Sequence, residues 1–97
     1  MSKWTIYYVG DIGRWSFKPA PDFVDLTTYT KVGEIEAEDL EQVFRVMNVV
    51  DGSAIEMPQK FRVRSMCVGD VAVEESGRAH FCASVGWAPV QILGGVP

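Results

Sequence analysis

The sequence predicts an α+β domain: a small bent antiparallel sheet of about five strands, curved enough to admit a half-open barrel, with one helix packed on it. Three observations lead there. Short runs of aromatic and β-branched residues alternate with period two, as half-buried strands do. One stretch carries apolar residues at helical spacing. A C-terminal pair of strands brackets a loop whose length the packing itself selects. With 97 residues, the chain reads as a single domain over 1–97. A chain of this size buries roughly 65% of its unfolded surface on folding, so its core needs no metal or disulfide staple.

Lys3–Val9 is the first strand. Trp4, Ile6 and Tyr8 fall on one face and Thr5, Tyr7 and Val9 on the other, so both faces are at least half buried, which suits a central strand. Gly10–Asp22 is a loop punctuated by Gly10, Gly13, Pro19 and Pro21. It carries Arg14, Trp15 and Phe17. Large aromatics in such a loop either plug the core or form a contact patch. Leu26–Ile35 reads as extended, with Gly33 marking a bulge.

Glu38 to about Asn48 is the helix. Leu40, Val43, Phe44 and Met47 make one stripe. Glu38, Asp39 and Glu41 lie in its first turn, where the helix dipole favours negative charge. Arg45 follows Glu41 by four residues, the favourable order for an ion pair. Asn48 suits the left-handed stop, and Asp51-Gly52 suits a turn. Phe61–Ser65 reads as a short strand, and Val68-Gly69-Asp70 as the turn into the strand Val71–Glu74.

The hairpin that follows has a derivable register. With Glu75-Ser76-Gly77 as a three-residue loop and Gly77 left-handed in a G1 bulge, Val73 faces Ala79, Ala72 faces His80 and Val71 faces Phe81. Val71, Val73, Ala79, Phe81 and Ala83 then share one face, while Glu74, Arg78 and His80 share the other, which is expected to face solvent. A two-residue loop would put Phe81 beside Glu74, so packing selects the longer loop. A last strand runs from about Val90 to Leu93, ahead of a tail, Gly94–Pro97, that frays.

Composition excludes several classes. Hydrophobic residues are 47% and charged residues 23% of the chain, unlike a disordered tail or a coiled coil. No apolar run approaches the roughly 18 residues of a membrane span, and the N-terminal residues lack a signal-peptide pattern. The net charge is −4. Its acids are concentrated in 22–56, where nine of them face only Lys31 and Arg45. Such a domain repels phosphate backbones, so nucleic acid is not an expected partner. The densest acids, Glu34, Glu36, Glu38, Asp39 and Glu41, form either a solvated face or a surface for a basic partner.

Catalytic motifs are missing. No phosphate-cradling glycine loop is present, and no nucleophile elbow. His80 is the one histidine. It lies two residues from Cys82 on the same strand face, about 7 Å away, too far for a direct hydrogen bond. Cys67 and Cys82 make no C-x-x-C, and one histidine cannot complete a standard zinc site with them. They read as free thiols, a disulfide being the alternative if their Cα atoms approach within about 7 Å. No cofactor and no metal are expected.

Arg64-Ser65-Met66-Cys67-Val68-Gly69-Asp70-Val71-Ala72-Val73, then a short turn and His80-Phe81-Cys82-Ala83-Ser84-Val85-Gly86-Trp87, resembles the YodL-like domain. That family shows a segment of the form hSlSvsDvvvl and a hairpin ending in yyvdsfGF. Val32-Gly33-Glu34-Ile35, with Leu40 to Arg45 and Met47-Asn48, is similar to its upstream strand and helix, so the resemblance covers about residues 28–92. Cys67 stands where serine is commoner, and Trp87 where phenylalanine is. The resemblance implies an accessory protein of phages, plasmids or integrating elements, and brings no catalytic residues. The motif has a physical reading of its own: Gly69 permits the tight turn, and Asp70 and Ser65 can bond its backbone.

The expected function is therefore that of a non-enzymatic, cytoplasmic protein-binding module of a mobile element or phage, an inhibitor of a host defence complex among the options. Its candidate contact residues are Glu34, Glu36, Glu38, Asp39 and Glu41 on the acidic face, and Arg14, Trp15 and Phe17 in the loop. The alternative is a small-molecule or peptide-binding domain with an aromatic-lined pocket near Trp15, Trp87 and Arg64. A protein partner is expected and a membrane is not. The Val90–Leu93 strand, read as an uncharged sheet edge, offers a route to a homodimer.

Overall fold

In the computed structural model the described residues are 2–10, 13, 15, 18–47, 66–84 and 86–95. Their elements are β1 (Ser2–Val9), β2 (Phe23–Val24), a 3-10 turn (Leu26–Thr28), β3 (Tyr29–Ala37), α1 (Leu40–Met47), β4 (Val71–Glu74), β5 (Ala79–Cys82) and β6 (Trp87–Ile92). The strands form one sheet in the order β2-β6-β5-β4-β1-β3. It is an α+β fold with six strands rather than five. The sheet is mixed, because β2 runs parallel to β6, and it is not closed. A two-residue strand such as β2 has no periodicity to read.

β1 is central, paired with β3 on one side and β4 on the other. Its alternation divides the interior into two layers. Trp4, Ile6 and Tyr8 join Val32, Ile35, Val43 and Met47 under the helix, whereas Tyr7 joins Val71, Val73, Ala79 and Phe81 on the opposite face. Trp15, Ala20 and Leu26 pack over that second face. Trp15, Ala20 and Leu26 thus cover part of the side of the sheet opposite α1.

Several expected boundaries shift, each for a local reason. Leu26–Thr28 is a 3-10 turn, not strand, because the Asp25 carboxylate accepts from the Thr27 amide and caps it. The bulge falls where Gly33 predicts it: Ile6 pairs with Gly33 but Tyr7 with Lys31, leaving Val32 as the extra residue. Phe44 is 42% exposed, although its spacing puts it in the helical stripe. Val46 also packs on the core, which moves the centre of the buried stripe toward 43–46–47. At 100° per residue, Phe44 then sits about 105° off that centre.

The last strand starts at Trp87, earlier than expected, and runs through Pro89. Gln91 and Leu93 donate outward to the Asp22 and Val24 carbonyls. By the two-residue alternation of strand backbones, the Pro89 nitrogen also points outward, beyond the end of β2, where no ladder bond is lost. The edge expected at Val90–Leu93 is therefore occupied by β2.

The β4–β5 hairpin has the register that its loop length selects: Val71 opposite Phe81, Ala72 opposite His80, Val73 opposite Ala79. The Gly77 amide donates to Glu74 and the Glu74 amide to Arg78, which is the G1 bulge. A second bulge of the same kind lies at the other end of β4. The Gly69 amide donates to the Cys82 carbonyl and the Cys82 amide to that of Asp70, so two residues oppose one.

Asp70 is fully buried. Its Oδ1 accepts from the Val9 amide at 2.9 Å and its Oδ2 from the Cys67 amide at 2.8 Å. A buried carboxylate is tolerated only when so bonded. The Tyr29 hydroxyl donates to the Gly69 carbonyl at 2.8 Å. One turn thereby gathers β1, β3 and β5.

The two bulge glycines make a discriminating pair. Gly69 has φ +103° and Gly77 φ +96°, so an L-residue is strained at both. A Cβ at Gly69 would stand 3.0 Å from Trp15 Cδ1 and 3.2 Å from Val9 Cγ1, whereas at Gly77 it meets nothing. Gly77→Ala is expected to cost about 1 kcal/mol and Gly69→Ala at least about 1 kcal/mol more. Urea denaturation of both variants checks this, and equal losses would contradict the packing around Gly69.

Candidate functional site

The acidic run spans two elements and two directions. Glu34 and Glu36 lie on β3, opposite Thr5 and Lys3 of β1. Their neighbours Ile35 and Ala37 are buried under the helix, so the two carboxylates stand on the other face. Glu38, Asp39 and Glu41 follow at the start of α1, all exposed. The chain turns from strand to helix within three residues, so the helix-start acids follow the strand acids closely along the chain.

Among the described residues, two of these acids form ion pairs. Lys3 Nζ lies 3.9 Å from Glu34, and Arg45 lies 3.6 Å from Glu41. Both are exposed pairs of the kind that contribute little. Among the described residues, no ion pair involves Glu36, Glu38 or Asp39. Asp39 instead caps the helix. Its Oδ1 accepts from the Gln42 amide at 2.8 Å, while the Gln42 side chain accepts from the Glu38 amide. This is close to a capping box. The charge of Glu34 also reaches inward. Burial first, and Glu34 second, raise the Tyr7 phenol above its ordinary value.

The loop residues are placed differently. Trp15 packs edge-on against Phe81, ring centroids 5.3 Å apart, as a partial plug of the second core layer. Arg14 and Phe17 lie outside the described residues, as do Arg64, Ser65, Asn48, the turn expected at Asp51-Gly52 and the strand expected at Phe61–Ser65. Trp87 packs on the first core layer, on the opposite face of the sheet from Trp15. The two tryptophans therefore do not line one pocket.

Trp87 lines a different groove, of about 390 Å³, with Phe44, Val68, Cys67 and Cys82. Neither cysteine is in a disulfide. Burial, then the charge of Asp70, then Cys67 push the Cys82 thiol up to about 11. A thiol held protonated is a poor nucleophile and a poor metal ligand. Among the described residues no group of three metal-ligating side chains comes together.

His80 departs from the expected solvent face. Its side chain is only 15% exposed, with Nε2 3.5 Å from Glu74 Oε2, and its ring lies 5.7 Å from that of Trp4. The face of β4–β5 that carries it continues into the layer under α1, where Ala72 is wholly buried. The expected opposite-charge pair is present, with Arg78 Nε 3.9 Å from Glu74.

The chain matches no protein-family model, no curated protein and no solved structure. No described helix is long and apolar enough to cross a membrane.

The Cys82 thiol gives a pH test with a definite sign. Its ordinary value is 9.0 and its folded value about 11. Between these the unfolded chain loses the proton first, so stability falls as pH rises, by about 1.4 kcal/mol per pH unit from this group. Below pH 9 the contribution is constant. Tyr7 adds a fall of the same sign above its own ordinary value of 10.0. Cys82→Ala is expected to flatten the decline between pH 9 and 11 in urea denaturation. An unchanged slope would contradict the buried thiol.

Proposed function

We propose that this protein is a non-enzymatic protein-binding module whose contact surface is the acidic run from Glu34 to Glu41. The observation that carries this is a run of five carboxylates, two on a strand and three at the helix start that follows it, whose ion pairs among the described residues are those with Lys3 and Arg45. A surface of that kind steers a basic partner into place. The resemblance to YodL-like domains extends the reading: a cytoplasmic accessory protein of a phage or other mobile element, acting by occupying a basic surface of a host defence complex. The buried, protonated Cys82 and the partly buried His80 favour binding over nucleophilic chemistry.

Affinity capture from host lysate tests this. Wild type is compared with a variant carrying Glu→Gln at 34, 36, 38 and 41 and Asp39→Asn, which keeps the helix cap. A stoichiometric partner is expected with wild type and not with the variant, while circular dichroism stays unchanged. Equal capture by both, or no partner for either, would overturn the acidic-face reading.

A further inference from the structure

We propose that the outer edge of β3 over Glu34–Ala37 accepts an extended basic strand from a protein partner, so that the partner adds a strand to the sheet; this rests on the acidic-face reading above and gives it a geometry.

Backbone direction carries the first half of the argument. The Glu74 amide and the Asp70 carbonyl point toward β5, so Val71 and Val73 point toward β1, where they face Tyr7 and Thr5. The Val9 amide, turned toward Asp70, fits the same alternation. Trp4 and Ser2 then point toward β3 and meet Ile35 and Ala37. The alternation leaves the amides and carbonyls of Glu34 and Glu36 directed away from the sheet. β3 is the terminal strand of the sheet formed by the described residues, so these groups form an edge ready for pairing.

Charge selects the occupant. Across a ladder, directly opposed side chains come within about 5 Å. A strand paired at Glu34 and Glu36 would set its own residues i and i+2 against these two carboxylates, on the face away from α1. Lysine or arginine at those positions is complementary. A second copy of this chain is not: pairing β3 with itself opposes glutamate to glutamate, which is destabilising. The same charges that keep the edge from self-association therefore recruit a basic strand. The bulge at Val32-Gly33 limits the docking length to the segment beyond it.

The test is a titration of the 15N-labelled protein with three synthetic peptides. One alternates lysine with threonine, one spaces the same number of lysines with glycine and serine, and one alternates glutamate with threonine. The first is expected to bind with shifts centred on Glu34 and Glu36 and to slow exchange of their amides. The flexible lysine peptide is expected to bind more weakly without that protection, and the glutamate peptide not at all. Glu36→Gln is expected to weaken the first peptide about two- to fivefold. Glu36→Pro, tolerated at an edge, is expected to abolish the amide protection, with near-ultraviolet circular dichroism confirming the fold. Equal binding of the two lysine peptides without amide protection would overturn strand addition and leave the acidic face intact. No binding of either lysine peptide would overturn both.

Discussion

At the end of β1 the ladder with β4 runs out at the Tyr7–Val71 pair, because the chain turns away at Gly69 and Asp70. Beyond that pair the Val9 amide donates to the Asp70 carboxylate, which continues the ladder with a side chain. The other carboxylate oxygen closes its own turn through the Cys67 amide. Much else depends on this one buried group. The turn it holds presents Gly69 to Trp15, to the Tyr29 hydroxyl and to the Cys82 carbonyl. It therefore fixes the register of β5, the placement of the loop over the second face and the start of β3. A fully buried carboxylate is costly without such bonds, so the turn and the strand end are stable only together.

The acidic surface follows from the same frame. With β1 held between β4 and β3, β3 becomes the far strand of the sheet, and its alternation is set by burial of Ile35 and Ala37 under α1. Glu34 and Glu36 are thereby turned to the opposite face, and their backbone groups to the outer edge of the sheet formed by the described residues. The helix then begins within three residues because Asp39 and Gln42 cap it, so Glu38 and Glu41 follow the strand acids closely along the chain. The proposed contact surface is a consequence of strand order rather than of composition alone.

Local features were legible in the sequence. The hairpin register followed from Gly77 and from keeping Phe81 away from Glu74, the central position of β1 from its two apolar faces, and the bulge from Gly33. What depends on distant pairing was not. Nothing in Phe23-Val24 announces a strand that seals the β6 edge, and nothing around His80 shows that its face lies under the helix. Phe44 fits the stripe until Val46 is counted with it. The five candidate acids were readable as a run, but the place of Glu34 and Glu36 on the terminal strand of the described sheet required the strand order. The groove shared by Cys67 and Cys82 had a faint signal, since the hairpin register sets Cys82 beside the turn that follows Cys67. Trp15 and Trp87 carried no sign that they belong to opposite faces.

Native-state amide hydrogen exchange tests the role of Asp70 most directly. The Val9 and Cys67 amides lie outside the regular ladder and donate to a side chain. If the Asp70 carboxylate holds the fold together, both exchange only through global unfolding, with the same opening free energy as the most protected amides of β1 and β4. Exchange of these two at the rate of exposed loop amides, while the strands stay protected, would contradict that account.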